Sequence, residues 1–196
     1  MKLRIDEDLI VYETGNLKLN QLETDIHSYL KKGDLIIDSF LIDGVEIFEE
    51  PYQHIQNNLQ KIQLVEVKCK RKEVFVRELI ISLHEYVDRA LPEIEELSEQ
   101  FYKGFSNQSW DQVIQLVEGL VWINQTLVFI VGNGYLENEF SSVNLTTAIS
   151  AFEDALGVQD FVLAGDVLQY EMIPLFQTIK SSIEMKVFGA ENHEFN

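Results

Sequence analysis

The spacing of apolar residues changes character near residue 72, and that change narrows the folds open to the chain. Up to that point apolar residues come in short alternating or continuous runs broken by turn residues, the habit of strands and short helices. Beyond "KCKRK" (68–72) strand signals stop, and apolar residues recur every three to four positions over four long stretches. The fold class expected is therefore α+β: a small N-terminal α/β-sandwich module over 1–72, then an antiparallel four-helix bundle over 73–188, then a flexible tail over 189–196.

Within the first part, "KLRI" and "DLIVY" are strand material around an acidic turn. "LNQLETDIHSYLKK" places Leu19, Leu22, Ile26 and Leu30 on one helical face, and Gly33 stops it. "DLIIDSFLI" is rich in β-formers, and Asp43-Gly44 is a hairpin turn before "VEIF". Pro51 suits the first turn of a short helix, and "IQLVEVKCK" closes the module with Val65, Val67 and Cys69 alternating. The resulting order β-α-β-β-α-β is compatible with a ferredoxin-like module or a hairpin-plus-helix variant of it.

In the second part the first helix is expected from about Glu73 to Lys103, kinked at Pro92. A second starts at Trp110, capped by Ser109, and a third spans about Ser142 to Leu156. A fourth begins after the cap Asp160 and carries Pro174 in its middle, which should free the Tyr170 carbonyl. Short connections favour antiparallel neighbours.

Charge and cysteine usage exclude several classes of function. The net charge is −18, of which residues 73–196 carry −15 and residues 1–72 carry −3. So anionic a surface repels phosphate backbones, so no nucleic-acid partner is expected. The most apolar run, "LVEGLVWINQTLVFIV" (116–131), is short for a bilayer and holds Glu118, Asn124 and Gln125, so no membrane partner is expected. With Cys69 as its one cysteine the chain forms no internal disulfide, and a cytoplasmic location follows as the expectation.

Motifs for chemistry are few. No Glu-x-x-His occurs, so the ligand pattern of a di-metal carboxylate bundle is missing, and no cofactor or metal is expected. "GNGY" (132–135) follows a helix and lacks a third glycine, so it is not a dinucleotide loop. Cys69 has the cationic neighbours Lys68, Lys70 and Arg71, but its alternation with Val65 and Val67 places it inward and inert. Asp166 and Glu171 stand about 140° apart on an α-helix and cannot act on one substrate. These readings favour a non-enzymatic protein. The alternative is a small-molecule-binding protein or enzyme whose pocket, at the junction of the two parts, uses Glu171, Arg89 and His84.

The remaining signal is surplus apolar surface. On the last helix Phe161, Ala164, Leu168, Met172, Phe176 and Ile179 share the core-facing stripe. Val162, Leu163, Val167, Tyr170, Ile173 and Pro174 fall off it, and a helix apolar nearly all round is buried on more than one side. On the second helix Val113, Leu116, Val117, Leu120, Leu127 and Val131 form the inward stripe, and Trp122 and Phe129 project opposite it among polar residues. Trp122, Phe129, Val162, Tyr170 and Ile173 are therefore the expected partner interface, either for a second copy or for another protein. The function expected is an interaction or assembly (chaperone-like) module. Coverage of the same residues by the N-terminal module is the competing expectation.

Overall fold

The computed structural model describes residues 1–12, 19–104, 106–136 and 142–185, and the expected tail over 189–196 lies outside the described residues. The chain is mixed α+β and divides into two compact units, Met1–Phe75 and the part from Val76 onward. The boundary falls inside a helix rather than in a linker.

The first unit holds β1 (Lys2–Ile5), β2 (Asp8–Val11), α1 (Leu19–Gly33), β3 (Leu35–Ile42), β4 (Val45–Ile47), α2 (Pro51–Asn58) and β5 (Leu64–Arg71). They form one sheet in the order β2-β1-β5-β3-β4. The pair β1–β5 is parallel, and β1–β2, β3–β5 and β3–β4 are antiparallel. A ferredoxin-like sandwich would place the first strand between the third and the last. Here the last strand sits between β1 and β3, and the N-terminal segment is a hairpin, so that expectation is corrected. The local reason is the Asp6-Glu7 turn, with Asp6 at φ 49°. It folds "KLRI" back on "DLIV" and fills the edge of β1 before the first helix begins.

Alternation then sorts the faces. Leu3, Ile5, Phe40, Ile42, Val65 and Val67 point to one side and are buried under Leu22 and Ile26 of α1 and Ile55 of α2. Asp43 and Gly44 both take positive φ, 48° and 83°, as a two-residue hairpin of this twist requires. The Asp43 carboxylate also accepts from the backbone N–H groups of Gln63 (3.0 Å) and Leu64 (2.8 Å), which ties the β3–β4 turn to the start of β5. A bulge between Ile37 and Ser39 leaves Asp38 outside the ladder, where it pairs with Lys70 at 2.7 Å.

The second unit is helical: α3 (Lys72–Lys103, its first turn in the first unit), α4 (Asn107–Gly132), α5 (Ser142–Gly157), α6 (Phe161–Val167), a π-turn (Leu168–Met172) and α7 (Ile173–Ile183). Helix α3 runs through Pro92 as one element. Helix α4 starts three residues before the expected site. Ser106 is its cap, and Ser106 and Ser109 satisfy each other's backbone N–H through their hydroxyls. Asp160 caps α6 by accepting from the Leu163 N–H at 3.0 Å. Side-chain bonds fix how α3 runs against the last helix: Tyr102 to Asp166, Ser98 to Gln169, Asp88 to Lys180 and His84 to Glu184. Numbers fall on one helix as they rise on the other, so the two are antiparallel. Phe101, Phe152, Leu120, Ile123 and Phe176 lie in a single hydrophobic core among the described residues of this unit.

Candidate functional site

Helix α4 carries more apolar surface than its unit covers. Val113, Leu116, Leu120, Ile123, Leu127 and Ile130 face the core. Trp110, Ile114, Val121 and Val128 are exposed, and at about 100° per residue they fall within about 40° of one another. The stripe runs 18 positions, roughly 27 Å at 1.5 Å per residue. Exposed Gln125, Glu118 and Gln115 border it on one side, half-buried Val117 continues it on the other, and Asp111 and Glu118 are the charged residues of the helix. By length and composition α4 could cross a membrane, yet nearly half of it is buried inside the helical unit.

Trp122 and Phe129, the residues expected to form this face, stand on its flank instead. Both are half-buried and pack against the core of their own unit. The Trp122 ring lies 5.4 Å from that of Tyr86 on α3. The hydroxyl end of Tyr86 in turn abuts Gly119, where a Cβ would stand 1.6 Å from its oxygen, so this approach requires glycine. The difference is one of phase. Counting Val117 and Val131 as core, instead of Ile123 and Ile130, rotates the assumed stripe by about 40°. Spacing at 114, 121 and 128 was the signal that could have found the exposed apolar face.

On the last helix Val162 and Tyr170 are exposed as expected, and so is Leu163. Ile173 is not: it is 4% exposed, and Val167 is 3% exposed, both in the core. For Ile173 the cause is the π-turn. There the Ile173 N–H reaches five residues back to the Leu168 carbonyl, so one extra residue enters the turn and the following stripe steps by about 100°. Pro174 lacks the N–H an α-turn would send to Tyr170, which favours such a turn just before it. The perturbation was legible from Pro174; its form was not.

The three residues expected to line a pocket are not brought together. His84 Nε2 lies 3.2 Å from Glu184, which caps the end of α7. Glu171 is exposed on the π-turn. Arg89 alone borders a groove of about 250 Å³ between α3 and α4. The floor of the groove is Ile94, Leu97 and Leu116, and Tyr86, Glu93, Gln112 and Gln115 supply its polar groups. Burial raises the Tyr86 phenol above its ordinary range, with Arg89 opposing, so Tyr86 is a donor at neutral pH. Gln112 Oε1 is buried with no hydrogen-bond partner among the described residues.

Other chemistry-bearing groups are quiet. Burial, Asp6 and Asp38 push the Cys69 thiol up to about 11, and Cys69 N–H donates to Asp6 Oδ1 at 2.9 Å. Among the described residues no three His, Cys, Asp or Glu side chains are placed to hold a metal ion. Tyr102 donates to Asp166 at 2.6 Å, which pushes its phenol up to about 12 and engages Asp166 structurally.

Residues 78–182 match the model of a protein family described as a domain of unknown function (DUF8042), and this stretch is more than half of the 196 residues. No curated protein and no solved structure matches the chain. The matched stretch carries α4, its exposed apolar face and the groove against α3, and by that match the chain belongs to the DUF8042 family.

Proposed function

We propose that this chain is a non-enzymatic cytoplasmic interaction module that binds a protein through the apolar face of α4. The observation that carries the reading is the stripe Trp110, Ile114, Val121 and Val128, exposed on a helix whose opposite side is already buried in its own core. A contiguous apolar face with a polar border on one side has the make-up of a docking surface. Val162, Leu163 and Tyr170 on the last helix are a second, smaller set of the same kind. The charge of −18 makes a second copy an electrostatically costly occupant and a partner with a basic rim a favourable one. The same charge opposes an anionic lipid surface.

Two finer readings of the fold accompany this. Strand order β2-β1-β5-β3-β4 with a parallel central pair supports a β-grasp module at the N-terminus. Antiparallel pairing of α3 with the last helix, and contacts of α5 with both α4 and α6, support an antiparallel four-helix bundle after it. A photo-crosslinking side chain at position 121 tests the function, with position 154, exposed on α5, as the reference. Adducts to protein from 121 and not from 154 support the reading; equal yields from both, or none from either, sink it.

A further inference from the structure

We propose that the groove between α3 and α4 is a binding site for a small organic carboxylate with an apolar body and a hydrogen-bond donor at its far end. Three observations converge. The groove has an aliphatic floor, Ile94, Leu97 and Leu116, that rewards an apolar body. Arg89 stands at the mouth, and among the described residues its guanidinium has no carboxylate partner; only its Nε is engaged, donating to the Glu85 carbonyl at 3.2 Å. A guanidinium so placed binds a carboxylate through two parallel N–H donors. Gln112 Oε1, buried and unpartnered, needs a donor that no described residue supplies.

Size and charge limit the ligand further. A volume of about 250 Å³ suits a molecule of on the order of ten non-hydrogen atoms, since a water takes about 30 Å³. Glu93 lines the groove one helical turn from Arg89, so a dianion would be repelled where a monoanion is held. The overall charge of −18 repels anions at long range, but at 0.15 M salt that field decays over about 8 Å while the contact with Arg89 persists. This site is separate from the exposed stripe of α4: at about 100° per residue, Gln112 and Leu116 lie well round the helix from Trp110 and Val121.

The test is a titration of the full-length, ¹⁵N-labelled chain with 4-hydroxyphenylacetate at 0.15 M NaCl, followed by amide shifts. Expected are saturable shifts centred on Tyr86, Arg89, Gln112 and Gln115. Arg89→Gln should weaken binding about tenfold, and Ala90→Leu, which narrows the groove from the half-buried edge of α3, should abolish it. Tyramine, with an ammonium in place of the carboxylate, should leave these residues unshifted, and phenylacetate, lacking the donor, should bind several-fold more weakly. Failure of 4-hydroxyphenylacetate to shift the groove residues, equal binding of tyramine there, or indifference to both substitutions overturns the proposal.

Discussion

Deleting Tyr170 tests the account of the π-turn. If that turn holds one residue more than an α-turn, removing an exposed residue from it should let α6 and α7 join as one regular helix with both halves of the buried stripe aligned. At about 100° per residue, Met172, Ile173, Phe176, Ile179 and Ile183 then stay on the same side as Ala164 and Leu168. The deletion should cost no more than about 1 kcal/mol. Deleting Thr178, exposed within α7, has the opposite consequence. It rotates Ile179 and Ile183, 4% and 0% exposed, by about 100° out of the core. Each buried isoleucine is worth about 1.5–3 kcal/mol, so the loss is about 3–6 kcal/mol, a large share of a domain's 5–15. Urea unfolding followed by far-ultraviolet circular dichroism separates the two. Equal destabilisation by both deletions would refute the reasoning.

Further outcomes follow from the same structure. Cys69, raised from 9.0 to about 11, should hold about a hundredfold less thiolate at pH 8 than an unperturbed thiol, so iodoacetamide should label it slowly in the native chain and rapidly in urea. Lys180 beside it holds Asp88 below its ordinary 3.8, so the contact stabilises the fold above about pH 4 and is lost as pH falls through the lower folded value. Asp88→Asn should therefore flatten the acid limb of the stability profile measured by thermal melts between pH 2 and 6. Gly119→Ala should drive the Tyr86 ring off α4 and red-shift Trp122 emission. Its net cost should be about 1 kcal/mol in urea unfolding, because lost packing is offset by the better helix propensity of alanine.

Strongly periodic features were legible in the sequence, and features set by phase or by long-range pairing were not. Asp43-Gly44, Asp160 and the run after residue 72 each state a local preference that nothing in the fold opposes. Strand order depends on partners more than fifty residues apart, as with Lys2 opposite Leu64, and no local pattern encodes it. Ile173 was misplaced because a constant 100° step cannot register a residue added by a π-turn. The face of α4 was misplaced because that helix is apolar at Val117, Trp122, Phe129 and Val131 as well as in its core, so its stripe has no sharp edge to read. Arg89 was expected in a pocket at the junction of the two parts with Glu171 and His84; the groove it borders lies between α3 and α4, and its lining residues Gln112 and Tyr86 were not anticipated. Their signal is a close helix approach at Gly119 that only tertiary structure discloses.

The claim that α4 offers its outer face to a partner is tested most directly by Ile114→Ser combined with Val121→Ser, scored by crosslink yield from position 128 against the helical melt of the same protein. Both side chains are exposed, so the melt should stay within a few degrees of the unmodified chain while the yield falls at least tenfold. An unchanged yield, or a variant that unfolds because those side chains were holding the unit together, would contradict the account.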